Sequence, residues 1–165
     1  MTCTAAATAP VVDLPGAFRT VASSAWVVTT RSGDRPVGFT AISVASVSLQ
    51  PPLLSFNVSR SSSSIDALLS ERRAAVHLLA DGQEHLARRF AASAAGRFPE
   101  DGSWTWDETG LPELPGVVAR LAGPVHEVIE AGDSVVLLVR PEVTAVAGGT
   151  PLVHHARAYH RLEAL

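Results

Sequence analysis

Lysine is absent from this sequence, and its absence excludes several kinds of chemistry. All 13 basic residues are arginines. A Walker-type phosphate loop and a Schiff base with pyridoxal phosphate both need a lysine amine, so the chain can form neither. Any site for a phosphate group must therefore be built from arginines, hydroxyl groups or backbone N–H groups.

Cysteine is almost as scarce, because Cys3 is the only one in the chain. No disulfide can form within the chain, and a metal site made of thiolates is excluded. The six histidines show no ligand-like spacing with carboxylates, and the GxGxxG, GxSxG and HExxH motifs are missing. The sequence therefore predicts no metal site.

Charged residues make up only 18% of the chain, and the formal net charge is −3. Nucleic acids and anionic membranes are bound by basic faces, so the composition argues against both partners. The longest uncharged stretch, residues 36–59, could span a membrane by length, but Pro51, Pro52 and several polar residues interrupt it. We interpret it as strand, turn and strand. Since the first residues do not resemble a signal peptide, we expect a cytoplasmic protein.

A chain of 165 residues that is 47% apolar suits one domain with its own core. We expect residues 1–15 to form a flexible tail and residues 16–165 to form the domain. Short runs rich in β-branched residues alternate with turn signals and predict strands. The predicted strands are 25–30, 37–43, 53–58, 75–79, 117–121, 125–129, 135–139, 143–147, 152–155 and 158–162. Residues 43–52 lack a clean period and are expected to be irregular, whereas the continuous apolar run 135–139 is expected to be buried on both faces.

Two helices are predicted between these strands. The first begins near Ser64, where Ser63 and Asp66 have the spacing of a capping box. The second is predicted to be capped by Asp81, with Glu84 three residues later, and to end at Gly96. Many short strands with two inserted helices indicate a mainly β fold, an antiparallel Greek-key-like β-barrel, rather than βαβ units.

The segment 38–52 has the most informative composition in the chain. It carries four hydroxyl groups within nine residues, on Thr40, Ser43, Ser46 and Ser48, among apolar neighbours and without any charge. Such a segment can offer hydrogen bonds to the edge of an uncharged heteroaromatic ring. A Ser/Thr-rich edge strand without a ligand explains the same pattern, and the residues alone leave both interpretations open.

Three blocks of the sequence, taken in order, resemble the flavin reductase-like family, whose fold is the FMN-binding split barrel. The blocks are WVVTT at 26–30, GxTxxSxxSVSLxPPL at 38–53 and QxxLAxxFA at 83–91. The turn AGD at 131–133, PLVHH at 151–155 and Tyr159 extend the resemblance over residues 17–162. Members similar to this chain are the short reductase components of two-component flavin-dependent monooxygenases.

The resemblance implies an NAD(P)H-dependent flavin reductase that uses NADH or NADPH to reduce FMN or FAD and supplies the free reduced flavin to a separate oxygenase. It also implies a homodimer with the flavin near the subunit interface. His155 is expected to contact the nicotinamide. The flavin ring is expected to contact Thr40, Ala41, Ile42 and Ser43, and Ser46 and Ser48 are expected to lie beside the ring or the ribityl chain. The residues expected at the phosphate are Ser59, Arg60, Ser63, Ala80, Asp81 and Gln83. Tyr159 corresponds to an aromatic residue of the family that is expected to contact the flavin.

Two positions depart from the family pattern. Ser134 follows Gly132-Asp133 where the family usually has a histidine near the nicotinamide, and His154 stands where the family favours a tyrosine. The flavin half of the pattern is therefore retained, whereas the nicotinamide half is altered. This leaves an alternative hypothesis, in which the protein is a flavin-binding carrier or sensor with weak reductase activity.

Overall fold

The computed structural model of the protein describes residues 12–164, so most of the predicted tail lies outside the described residues. The helices are α1 (Leu14–Phe18), α2 (Ile65–Glu71) and α3 (Glu84–Ala91), and a 3₁₀ turn covers Ala94–Gly96. Within residues 12–164, no helix has the length and the apolar character needed to cross a membrane. The boundary between tail and domain stays a prediction.

Strands dominate the described residues, and their bounds are as follows. They are β1 (Ser23–Ser24), β2 (Trp26–Ser32), β3 (Arg35–Ala41), β4 (Ala45–Leu49), β5 (Pro52–Ser59), β6 (Arg73–Leu78), β7 (Thr105–Trp106), β8 (Pro112–Glu113), β9 (Ala119–Ala131), β10 (Ser134–Val139), β11 (Val143–Val146), β12 (Val153–His155) and β13 (Ala158–His160). The predicted mainly β fold with two inserted helices is confirmed.

The main sheet is antiparallel and has the strand order β3-β2-β6-β9-β10-β5-β4, with β11 added alongside β9. The strands β1, β12 and β13 form a second, small sheet, and β7 pairs with β8. Helix α2 packs against β2, and helix α3 packs against β2 and β3. The sheet therefore brings β3 and its helix α3 to one end of the strand order.

Strand β9 is one continuous strand, so the prediction of two strands at 117–121 and 125–129 is wrong. Its first half pairs with β6 and its second half with β10. Gly123 lies where β9 changes from pairing with β6 to pairing with β10, and a Cβ on it would lie 2.0 Å from the carbonyl oxygen of Arg140. Gly123 therefore permits a close approach of two backbones instead of ending the strand.

Three further expectations need correction. Residues 45–49 form strand β4 and are not irregular, because they pair with β5 around a register shift. Strand β10 alternates between buried and half-buried residues, so only one of its faces lies in the core. Helices α2 and α3 begin after Ser64 and Gln83 without any side-chain cap, so neither predicted capping pattern forms, and α3 ends at Ala91, before Gly96.

The core has two main parts. The first lies between the sheet and helix α2, and its largest fully buried side chains include Phe56, Leu68 and Leu137. The second lies under helix α3, where Phe90 is 1% exposed and packs near Leu79 and Leu152. Burying side chains of this size contributes about 1.5–3 kcal/mol each, which fixes α3 against the sheet.

A buried polar network joins β6 and β9 to the loop before β8. His77 and Arg120 are neighbours across the two strands, and Arg120 forms an ion pair with Asp107. His77 Nδ1 lies 3.1 Å from the carbonyl oxygen of Val27, while His77 Nε2 and Arg120 Nε have no partner among the described residues. Burial, and then the charge of Arg120, lower the pKa of His77 to about 3, so the folded protein holds this imidazole neutral.

The free energy of unfolding should therefore fall as the pH drops below about 6.5, because His77 is protonated there in the unfolded chain but stays neutral in the folded protein. The expected slope is up to about 1.4 kcal/mol per pH unit, continuing towards a pH of about 3. Burial alone would raise the pKa of Asp107, but the Leu111 N–H, the Thr109 hydroxyl and Arg120 together lower it, so its contribution is lost only below about pH 3.9.

Urea unfolding between about pH 7 and about pH 5 isolates the effect of His77. The variant His77→Gln cannot titrate and should show a flatter dependence of the unfolding free energy on pH than the wild type. Parallel profiles for the two proteins would show that His77 is not held neutral by the fold.

Candidate active site

Two cavities adjoin at the end of β3. The ring cavity, of about 300 Å³, is formed mainly by residues 39–43 and by Asn57, Ser59 and Ser62. The large cavity, of about 580 Å³, lies between α1, the segment 42–45 and the β12–β13 hairpin. Both cavities are lined by Ile42, Ser43 and Asn57, so these three residues form a wall common to the two cavities.

Residues 40–43 form an uncharged wall of the ring cavity, which we name the ring wall. Hydrogen bonds to neighbouring elements anchor it. The Thr40 hydroxyl donates to the carbonyl oxygen of Ala87 at 2.6 Å, which ties β3 to helix α3. The Ser43 hydroxyl oxygen accepts from the Asn57 N–H at 3.1 Å, which ties the end of β3 to β5. Ile42 is 45% exposed and presents an apolar surface between these two anchors. An uncharged wall of this kind can take a flat, neutral heteroaromatic ring, and the contact of residues 40–43 with a flavin stays a prediction.

Ser46 and Ser48 lie apart from this wall. Both are on β4, the last strand of the main sheet, where they pair with Leu54 and Leu53 of β5. Neither of them lines the ring cavity or the large cavity. Their predicted contact with the flavin stays a prediction, and the bounds of the cavities do not support it.

The serine run 59–64 folds into a turn that holds itself together. The Ser61 N–H donates to the Ser59 hydroxyl oxygen at 3.2 Å, and the Ser64 N–H donates to that of Ser62 at the same distance. Ser59 and Ser62 face the ring cavity, whereas Ser63 and Ser64 face a smaller hollow beside Arg97. The run therefore presents hydroxyl groups both to the ring cavity and to the hollow beside Arg97.

Arg97 is the arginine that donates to these hydroxyls. One of its terminal nitrogens lies 3.4 Å from both the Ser63 and the Ser64 hydroxyl oxygens and 2.7 Å from the Gly38 carbonyl oxygen. Partial burial lowers the pKa of Arg97, although a guanidinium remains charged at neutral pH. Arg97 Nε and its other terminal nitrogen donate to the Ala92 carbonyl oxygen at 3.0 and 2.7 Å, so two backbone carbonyls anchor the guanidinium beside the serine run. A charged group held beside two hydroxyls is a candidate partner for a phosphate group.

Arg60, which the sequence placed at the phosphate, is engaged elsewhere. Its guanidinium forms an ion pair with Glu130 and donates to the Gly132 carbonyl oxygen at 3.2 Å. Both partners belong to the β9–β10 hairpin. Arg60 therefore joins the serine run to that hairpin, and its role at a phosphate stays a prediction.

The segment 80–83 also has its hydrogen-bonding groups occupied. The Ala80 N–H donates to the Gln83 side-chain oxygen at 3.0 Å, and the Asp81 N–H donates to the Thr150 carbonyl oxygen at 2.9 Å. The Gln83 side chain in turn donates to Pro115. Since none of Ala80, Asp81 and Gln83 lines either cavity, the structure does not bring them together with the predicted ring site.

The β12–β13 hairpin separates the two adjacent histidines. His154 lines the large cavity, and its ring lies 5.4 Å from that of Tyr159. His155 is not among the residues lining that cavity, and its ring lies 5.9 Å from the ring of His160. The geometry therefore favours His154 over His155 for a contact in the large cavity. Burial raises the pKa of Tyr159, which keeps its hydroxyl protonated at neutral pH.

Ser134, the position that departs from the family pattern, lies opposite Ser59 at the start of β10. Its hydroxyl donates to the neighbouring Asp133 carboxylate at 3.0 Å. Ser134 lines neither the ring cavity nor the large cavity of the chain. The expectation that this position weakens nicotinamide use stays a prediction.

Comparison with known proteins agrees with this geometry. The sequence pattern of the family described as flavin reductase like domain matches residues 18–163. The chain belongs to this family. It is 40% identical over 154 residues to an NADH:FMN oxidoreductase of Rhodococcus erythropolis, covering 90% of this chain and 80% of the relative. It is 33% identical over 142 residues to the reductase component of 4-hydroxyphenylacetate 3-monooxygenase from Pseudomonas aeruginosa, covering 83% of each protein.

A solved structure confirms the fold. The NADH:FAD oxidoreductase SgcE6 of Streptomyces globisporus C-1027, in complex with NAD and FAD fragments, superimposes with a TM-score of 0.85. The two proteins are 29% identical, and the match covers 94% of this chain and 98% of the other. The predicted flavin reductase fold is therefore confirmed.

Sequence reasoning missed three residues that the structure places at the site. Asn57 is the only asparagine in the chain and lines both cavities, a signal that could have been used. His154 could have been separated from His155 only with knowledge of which face of β12 is covered. Arg97 begins a stretch whose sequence is typical of a loop, and nothing in its local sequence indicates that its side chain reaches the serine run.

Removal of the Arg97 guanidinium should weaken the binding of FMN by about 1.5–3 kcal/mol, the range of a hydrogen bond to a charged group. Riboflavin lacks the phosphate, so its affinity for Arg97→Ala should change much less. Fluorescence titration of both ligands separates loss of a phosphate contact from general damage to the site. Arg60→Ala serves as the matched arginine variant and should change the preference for FMN over riboflavin only slightly. The assignment to Arg97 would be contradicted if Arg60→Ala abolished that preference and Arg97→Ala kept it.

Proposed function

We propose that the protein is an NADH-dependent flavin reductase that releases reduced flavin to a separate oxygenase. The observation that carries the proposal is the junction of the two cavities at Ile42, Ser43 and Asn57. Family membership and relatives named for NADH:FMN oxidoreductase and for a monooxygenase reductase component support it.

The residues of the ring cavity fit a flavin. The wall from Thr40 to Ser43 is uncharged, and the serine run that lines the cavity continues to Ser63 and Ser64, whose hydroxyls contact Arg97. A bound flavin supplies a ring that accepts a hydride at N5. The protein's part is to hold the ring against β3 and to keep its exposed face turned towards the large cavity.

The large cavity fits the nicotinamide of the second substrate. Hydride transfer needs the two reacting atoms within about 3–3.5 Å, so the two rings must touch. The shared wall at Ile42, Ser43 and Asn57 is the place where molecules in the two cavities meet. His154 lines the large cavity and not the ring cavity, and it would orient the nicotinamide there.

The choice of flavin is part of the proposal. The ring cavity and the Arg97 hollow account for a ring, a ribityl chain and one phosphate, which is the whole of FMN. The relative from Rhodococcus erythropolis is named for the same flavin. We therefore infer that FMN is the preferred flavin and that FAD is accepted.

A homodimer is also part of the proposal. Ile129 and Val136 are paired on one face of the β9–β10 hairpin, and Leu138 follows on the same face. Ile129 is 41% exposed, and on the edge strand β4 Val47 and Leu49 are 52% and 84% exposed. Unpaired edges and apolar faces of this kind are typical of surfaces that associate.

Filling the junction between the cavities tests the activity. Ser43→Phe should lower kcat/KM for NADH and for FMN by tenfold or more, because the added ring occupies the place where the two substrates meet. Ser70→Phe, on the exposed surface of helix α2, is the matched control and should retain wild-type rates. The measurement is steady-state NADH oxidation with and without added FMN. Flavin binding without NADH oxidation by the wild type would favour the carrier or sensor hypothesis and reject the reductase.

A single charge on the apolar face tests the dimer. Ile129→Arg should shift the sedimentation coefficient from that of a dimer to that of a 17.3 kDa monomer. Leu162→Arg changes a leucine that is 55% exposed outside the main sheet and should leave the dimer intact. A wild-type protein that sediments as a monomer while binding FMN would contradict the dimer.

A further inference from the structure

The turn between β12 and β13 has an unusual backbone for its sequence. His155 pairs with Ala158, so the loop consists of only Ala156 and Arg157, and both have positive φ values, 49° and 68°. A two-residue hairpin loop of this type favours asparagine and glycine, because side chains crowd the backbone in the left-handed region. The twist of the hairpin explains the backbone conformation, but it does not explain why an arginine stands there.

The side chain of Arg157 has no ion pair or hydrogen bond with any of residues 12–164, in contrast to Arg60 and Arg88. It lines the large cavity and also an adjoining cavity of about 350 Å³. The adjoining cavity, which we name the arginine cavity, is lined by Arg88, Ala91, Ala92, His154, Arg157 and Tyr159. Arg157 and His154 are the residues common to the two cavities.

Arg88 brings a second guanidinium to the arginine cavity. It lies over the Tyr159 ring, 5.4 Å from the ring centre, and its other contact is the Glu84 carboxylate at 2.6 Å on the same helix. Two arginines therefore face this cavity, and Glu84 is the acidic group in contact with them. The excess of positive charge and the open donor groups of Arg157 suit an anionic ligand.

We propose that Arg88 and Arg157 bind the pyrophosphate of the nicotinamide dinucleotide. The inference rests on the proposed function, because it takes the nicotinamide to lie in the large cavity. One ribose separates the nicotinamide from the pyrophosphate, so the pyrophosphate must lie next to the ring, as the arginine cavity lies next to the large cavity. With Glu84 paired to Arg88, the two guanidinium groups leave a net positive charge that attracts the doubly charged pyrophosphate.

The 2′-phosphate that distinguishes NADPH fits this position less well, because it is carried by the second ribose, beyond the pyrophosphate. The proposal therefore makes Arg88 and Arg157 residues that bind both NADH and NADPH, and not residues that select between them. A reductant without any phosphate should be indifferent to them.

Arg157→Gly provides the sharpest test, because glycine suits the left-handed backbone while the guanidinium is lost. With saturating FMN, the variant should keep the wild-type melting temperature or exceed it, should raise KM for NADH and for NADPH by tenfold or more, and should leave kcat close to the wild-type value. Oxidation of 1-benzyl-1,4-dihydronicotinamide, which has no phosphate, should be unchanged. Arg88→Gln should behave in the same way, and Arg35→Ala, an exposed arginine at the start of β3, is the matched control.

Each other outcome overturns the inference. An equal loss with the phosphate-free reductant would show damage to the ring site, and a loss confined to NADPH would assign the arginines to the 2′-phosphate. An unchanged KM for NADH would show that Arg157 binds no part of the dinucleotide.

Calorimetric titration with ADP-ribose separates this inference from the proposed function, because ADP-ribose has the pyrophosphate but no nicotinamide. Binding that is lost in Arg157→Gly supports the arginine cavity even if the wild type oxidises no NADH. Equal binding by the wild type and the variant, or binding by neither, overturns the inference even if the wild type is an active reductase.

Discussion

The close packing around Gly38 is the constraint on which the rest of the site depends. A Cβ at this position would lie 2.8 Å from the Val28 carbonyl oxygen and 3.1 Å from the rings of both Phe90 and Phe98. The carbonyl oxygen of Gly38 accepts hydrogen bonds from Arg97 and from the Ser64 hydroxyl. One residue of β3 thus joins helix α3, the loop after it and the serine run. The ring wall begins two residues later, so its position follows from this packing.

The sequence was sufficient to predict the class of fold, whereas the contact of residues 40–43 with a flavin ring stays a prediction. Hydroxyl groups among apolar neighbours at residues 40–43 reflect a local requirement, which is an uncharged surface that can still form hydrogen bonds. Alternation and turn signals likewise report local backbone preferences, and most strands therefore lie close to their predicted places. The error at β9 has a physical reason, because the close approach of Gly123 to Arg140 is a contact between distant parts of the chain.

The contacts of the arginines could not be predicted in the same way. Arg60 lies within the serine run, and proximity in sequence suggested a shared ligand, yet Glu130 of the β9–β10 hairpin pairs with it. Arg97 lies 33 residues from Ser64 in sequence and contacts it in the fold. Long flexible side chains reach partners that only the tertiary structure brings near, so their identity in a sequence says little about their contacts. His154 and His155 illustrate the same limit on a strand, where adjacent side chains point to opposite faces.

The site as a whole is better suited to passing flavin on than to retaining it. Its ring wall belongs to two contiguous cavities at the surface, and the groups that face a phosphate are one arginine and a few hydroxyls. A reductase that serves a separate oxygenase needs this property, because its product must leave after each turnover. In the proposed arrangement, the uncharged wall holds the flavin ring, Arg97 binds the flavin phosphate, and Arg88 and Arg157 bind the pyrophosphate of the dinucleotide.

In the proposed reaction, the fold holds the two rings in one fixed arrangement at the junction of the cavities. This arrangement can be tested by the loss of visible flavin absorbance in a single anaerobic turnover, with NADH deuterated in turn at each of the two hydrogens on C4 of the nicotinamide. A fixed arrangement presents one face of the nicotinamide to the flavin. One deuterated form should therefore slow the loss of absorbance, and the other should leave it unchanged. Equal slowing by both forms, or no loss of absorbance with NADH, would contradict this arrangement.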